Sequence, residues 1–187
     1  MTRDSNGKRP WAARVRRAGR TTRVAVVASA FNKPVTAALV RGARVTLQRH
    51  GITANRIACV WVPGAFELPA AAAALAASKA RPDAIVAVGC IIKGQTPQYA
   101  ALGQAVLQGL AQVSVQEKIP VGCGVVIADS VAQARARAAR PGQRPGRPPR
   151  RSGRGTGEGA VGNRGEEAAL AALAMVDVMT NLNRAHA

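Results

Sequence analysis

Aromatic and acidic residues are the scarce ones in this chain. Aromatics make up 3% of its 187 residues, so any core must be built from alanine and aliphatic side chains. Nine acids face 27 lysines and arginines, for a formal net charge of +18. Histidine occurs only at His50 and His186. His50 ends a helical stretch before Gly51, where a cation suits the helix dipole, and His186 sits at the C-terminal end, so neither is placed for catalysis. The cysteines are Cys59, Cys90 and Cys123, with no CxxC pair. This excludes a zinc-ribbon site and a disulfide framework and fits a reducing cytoplasm. Each falls on or at the end of a predicted strand, where a small buried thiol is expected. The longest uncharged apolar run, Leu68 to Ser78, is too short and too alanine-rich to cross a bilayer. The basic start lacks the apolar stretch of a signal peptide, although an arginine-rich, acid-poor start also resembles an organelle transit peptide. There is no Ser-His-Asp pattern, no P-loop and no GxGxxG; Gly122 and Gly124 are too little for one.

What the chain does have is a hydrophobic content of 48%, enough for one folded body with a sizeable core. Its charge is concentrated. Residues 1–23 carry a net +7 and residues 138–162 a net +5. Residues 1–22 read as a mobile basic arm without sustained periodicity. Strands and helices then alternate. Strands are expected at 23–29, 56–62, 83–89 and 121–128. Helices are expected at 34–50, 66–79, 98–116, 130–139 and 163–184, with Ser130 as a cap for the fourth. Near-continuous apolar strands between helices imply a parallel sheet covered on both faces, hence an α/β fold. Residues 140–162, rich in Arg, Pro and Gly, form neither element and read as a disordered insertion within the domain spanning 23–187.

The most informative stretch is Ile91-Ile92-Lys93-Gly94-Gln95-Thr96-Pro97-Gln98-Tyr99. It links a strand to a helix through a cationic, glycine-containing turn. Thr96 suits an N-cap and Pro97 the first helical position. Free amides, a positive dipole end and Lys93 make this turn a seat for phosphate. In an open parallel sheet, ligands bind beyond the carboxyl ends of the strands. Phe31 and Asn32 follow the first strand there, and the second is followed by Pro63-Gly64-Ala65-Phe66-Glu67-Leu68-Pro69. Phe31 and Phe66 are the only phenylalanines, and their shared edge favours a flat ring-shaped ligand. Singly, each residue has a plainer reading. Glu67 lies in a helix first turn where carboxylates are favoured anyway. Phe31 alone is more often a cover for the core than a stacking platform, Asn32 is most simply an N-cap, and Arg137 is one of many solvated arginines.

Together the pieces resemble the lumazine synthase family. The matching segments are AlaPheAsn (30–32), ValProGlyAlaPheGluLeuPro (62–69), GlyCysIleIleLysGlyGlnThr (89–96), IleProValGlyCysGlyVal (119–125) and AsnArgGlyGluGluAlaAla (163–169). They fall in residues 23–139 and 163–184. The resemblance implies a flavodoxin-like three-layer α/β/α sandwich with a four-stranded parallel sheet. It also implies an enzyme of riboflavin biosynthesis that needs no metal or cofactor. The family condenses 5-amino-6-(D-ribitylamino)uracil with 3,4-dihydroxy-2-butanone 4-phosphate to 6,7-dimethyl-8-ribityllumazine, releasing phosphate and water. Its active sites lie between neighbouring subunits. Carried over, Phe31 would stack on the uracil. Ala65, Phe66 and Glu67 would hold uracil and ribityl chain, with Cys90, Ile91 and Ile92 at the other edge. Gln95 and Thr96 would bind the butanone phosphate with Arg137, and Lys93, Asn32 and Arg164 would support them. Cys123 stands where the family has a phenylalanine contributed across the subunit interface.

Three departures follow from the resemblance. Gln98 stands where the family has a proton-shuttling histidine, and glutamine does not titrate near neutrality. Lys93 replaces an arginine, losing its bidentate fork. The enlarged 140–162 link goes, in the family, with a homopentamer instead of a sixty-subunit shell. The chain thus reads as a cytoplasmic transferase slowed by Gln98, with two small-molecule substrates and no membrane partner. The alternatives are an impaired relative that binds flavin or ribityl-pyrimidine, and an oligomeric scaffold whose basic arms bind nucleic acid or another polyanion.

Overall fold

The computed structural model describes residues 21–139 and 162–185. The predicted basic arm therefore lies outside the described residues except for Thr21 and Thr22, and the predicted insertion except for Gly162. Four strands, β1 (Val24–Ser29), β2 (Ile57–Val62), β3 (Ala84–Ile92) and β4 (Val121–Ala128), form one parallel sheet in the order β2-β1-β3-β4. The helices are α1 (Lys33–Arg49), α2 (Leu68–Ala76), α3 (Gln98–Gln116), α4 (Val131–Arg137) and α5 (Arg164–Ala185). Side chains alternate across the sheet, so each strand feeds two cores. Val24, Val26 and Ala28 pack with α1 and α5, whereas Ala25 and Val27 pack with α2 and α3. The result is the three-layer α/β/α sandwich of the flavodoxin-like class.

Several expectations need correction. β3 does not stop at Gly89 but runs to Ile92, because β4 stays paired with it up to Ile92–Ala128. α2 starts at Leu68, its Pro69 suiting the opening turn, and not at Phe66. Cys59 and Cys123 are exposed; only Cys90 is buried. The reason is strand order: Cys59 and Cys123 belong to the edge strands β2 and β4, whose faces are only partly covered.

Helix α5 lies close against α1. A Cβ on Gly165 would sit 2.0 Å from the Leu39 carbonyl oxygen, so only glycine permits this approach. Asn163 precedes the helix and is 3% exposed. Its Oδ1 accepts from the Gly165 and Glu166 amides at 2.9 and 3.2 Å, and its Nδ2 donates to the Ala139 and Ala38 carbonyls at 2.9 and 3.2 Å. One side chain thus caps α5 and ties it to α1 and to the end of α4.

Candidate active site at the sheet switch point

The strand order reverses between β1 and β3, since β2 lies on one side of β1 and β4 beyond β3, while all four strands run parallel. At such a point the loops leave the sheet in opposite directions and open a crevice. A cavity of about 410 Å³ occupies it, within the usual range for small-molecule sites. Its walls come from three loops. The β1 loop gives Phe31 and Asn32, the β2 loop gives Gly64 to Glu67, and the end of β3 with the start of α3 gives Cys90, Ile91, Ile92, Gly94, Thr96 and Gln98. Tyr99, which closes the 91–99 stretch but is given no role by the sequence, and Leu102, which lies beyond it, also line the cavity. Both sit within one helical turn of Gln98, the signal that could have found them.

Phe31 and Phe66 are 70% and 66% exposed. Neither covers the core, so both are free to meet a planar ligand. Glu67 occupies the cap position of α2 instead of its first turn, and its Oε2 accepts from the Gly64 amide at 2.8 Å. Asn32 does sit at the head of α1, but its side chain makes no cap. Its backbone is left-handed (φ 55°) and its Nδ2 donates to the Cys90 carbonyl at 2.9 Å. The phosphate-like turn also differs in detail. α3 begins at Gln98 with Pro97 in the cap position and no side-chain cap, so Thr96 does not cap it. The Lys93 amide donates to the Ala128 carbonyl at 2.9 Å. Among the described residues the amides of Gly94, Gln95 and Thr96 have no protein acceptor, which leaves donors for an anion. Burial pushes the Cys90 thiol up to about 11, so it is a neutral wall and not a nucleophile near neutrality.

The remaining predicted residues are elsewhere. Lys93 and Gln95 are exposed and do not line this cavity. Cys123, Arg137 and Arg164 line a second cavity of about 360 Å³ on β4, with Leu107, Val125, Val126 and Ile127. The two cavities share no residue, and the first holds no lysine or arginine. Arg164 is paired with Glu167 at 2.7 Å.

A family model described as 6,7-dimethyl-8-ribityllumazine synthase matches residues 21–180. The chain belongs to the lumazine synthase family. The match takes in every strand and both cavities, so the lumazine synthase fold and its riboflavin-pathway setting apply to the described body. Among the described residues, no helix is long and apolar enough to cross a membrane. No group of three or more His, Cys, Asp or Glu residues among them could hold a metal ion.

Proposed function

We propose that this member of the lumazine synthase family condenses 5-amino-6-(D-ribitylamino)uracil with 3,4-dihydroxy-2-butanone 4-phosphate in the cytoplasm, releasing phosphate and water. The observation that carries the reading is the switch-point cavity, where two exposed phenylalanines stand beside a turn with unused amides. Phe31 stacks on the uracil. Ala65, Phe66 and Glu67 hold its edge and the ribityl chain, and Cys90, Ile91 and Ile92 close the opposite side. The Gln95-Thr96 turn receives the phosphate, with Lys93 adding charge.

Beyond Lys93 on that turn, a phosphate dianion is best held by guanidinium partners, and none lines the first cavity. Arg137 and Arg164 stand beside Cys123 in the second cavity. They complete the site when a neighbouring copy brings its β4 face against the first cavity, which is why the working unit is an oligomer, a pentamer. Catalysis is chiefly juxtaposition. The amine of one substrate meets the carbonyl of the other, water leaves as the imine forms, phosphate departs by elimination, and the second amine closes the ring onto the remaining carbonyl with loss of a second water. Gln98 orients by hydrogen bonding but does not exchange a proton near neutrality, and lack of a positioned acid or base slows a reaction by about 10²–10⁴-fold.

The second reading, a binder without turnover, is favoured by one observation. The titratable groups lining the cavity are Glu67, Cys90 and Tyr99, with no histidine among them. Titration calorimetry with 6,7-dimethyl-8-ribityllumazine tests the shared part of both readings. The full chain should bind it, and Phe31→Ala should weaken binding by about tenfold or more through lost stacking. Absence of binding by the wild-type chain would overturn both.

A further inference from the structure

The walls of the ring slot belong to different strands, and the ladder that joins those strands stops short of it. β1 and β3 are paired only up to Ala28–Val88. Beyond that pair, β1 ends at Ser29 while β3 continues to Ile92. On its other side the β1 loop stays attached to the β2 loop. Ala30 and Phe31 donate their amides to the Val62 and Pro63 carbonyls at 2.7 and 3.0 Å. Towards β3, the corresponding link is a side chain, the Asn32 Nδ2 bond to the Cys90 carbonyl at 2.9 Å. The left-handed backbone at Asn32 turns the chain into α1 and brings the amide within reach, and asparagine is among the few residues that adopt this conformation readily. Phe31 is 70% exposed, so packing does little to hold its ring in place. Its position depends on the hydrogen bonds on either side of it.

We propose that Asn32 is a positioning residue: its bond to the Cys90 carbonyl sets the gap between the Phe31 platform and the Cys90–Ile92 wall, and so the fit of the planar ring. The inference rests on the ring-binding reading above for its ligand, but the bond itself is testable without one. In Asn32→Gly the left-handed turn is retained and the donor is lost. Hydrogen exchange on the full chain should then show the Phe31 amide exchanging about fivefold to tenfold faster, the size of one lost hydrogen bond, while Val26 within the ladder is unchanged. An unchanged Phe31 amide overturns the proposal whatever the ligand. Asn32→Asp, which keeps the turn and shape but not the donor, should behave in the same way. A wild-type-like Asp variant would assign the effect to glycine's backbone freedom and also overturn it.

The second readout is affinity for 6,7-dimethyl-8-ribityllumazine. Asn32→Gly should weaken it about fivefold to tenfold in the wild-type background and by less than about twofold in a Phe31→Ala background, because Asn32 acts through the ring. Equal losses in both backgrounds would mean a structural or direct role and overturn the proposal. If the wild-type chain fails to bind the lumazine, the ring-binding reading falls, and the exchange experiment alone decides Asn32.

Discussion

Asn163 joins α5 to α1 and to the end of α4 through one buried side chain, and removing that side chain should show it. Its Oδ1 accepts two amides of the first turn of α5. Loss of such a cap costs about 1 kcal/mol. Its Nδ2 donates to the carbonyls of Ala38 and Ala139. At about 1 kcal/mol for each net hydrogen bond, these add roughly 2 kcal/mol. Asn163→Ala should therefore destabilise the chain by about 3 kcal/mol, and at about 2–4 °C per kcal/mol the melting temperature should fall by about 6–12 °C. Asn163→Ser keeps a capping oxygen and loses only the two donors, so its fall should be about 4–8 °C. Scanning calorimetry of the three proteins at one fixed concentration reads both shifts, since association would otherwise alter the apparent stability. A fall below about 2 °C for the alanine variant, or a serine variant no better than alanine, would refute this partition. Arg164 follows directly in sequence and lines the second cavity, so the same substitution should also loosen that cation.

Other perturbations have equally definite outcomes. Gly165→Ala places a methyl 2.0 Å from the Leu39 carbonyl oxygen, and a backbone atom cannot swing aside; stability to urea should drop by about 3 kcal/mol or more. Gln98→His should raise turnover by at least about tenfold, with a rate that falls on protonation of the imidazole near its ordinary pKa of about 6.5; an unchanged rate would mean that other losses dominate. Cys90 has a folded-state thiol pushed from the ordinary 9.0 up to about 11, so its contribution to stability is complete below pH 9 and is lost as pH rises towards 11. Denaturation midpoints should fall across that window, and Cys90→Ala should flatten the fall. At pH 8 an alkylating reagent should modify the exposed Cys59 well before the buried Cys90.

The alternation of apolar runs made the strands and helices legible, and the motifs around Phe31, Phe66 and Thr96 made the switch-point cavity legible, because each follows the carboxyl end of a strand. Interactions that depend on distant pairing were not readable. The length of β3 was set by β4, whose register carries it past Gly89 to Ile92. Asn32 looked like a cap because sequence shows only its neighbours, while its partner Cys90 is 58 residues away. Asn163 was visible as the opening of a helix, but the two carbonyls it donates to lie 125 and 24 residues back in the chain. The exposure of Cys59 and Cys123 follows from their strands being at the sheet edges, which appears only once strand order is known. Within one chain Arg137 stands apart from the phosphate turn, because α4 follows the far edge strand, a separation visible only once strand order is known.

The most direct measurement is turnover. Purified full-length protein is mixed with 5-amino-6-(D-ribitylamino)uracil and 3,4-dihydroxy-2-butanone 4-phosphate, and the lumazine and inorganic phosphate released are followed against a protein-free mixture. The expected result is both products in equal amounts, faster than in the protein-free mixture, and faster again in Gln98→His. Tight lumazine binding with no acceleration by either protein would contradict a catalytic role and leave a binding protein in its place.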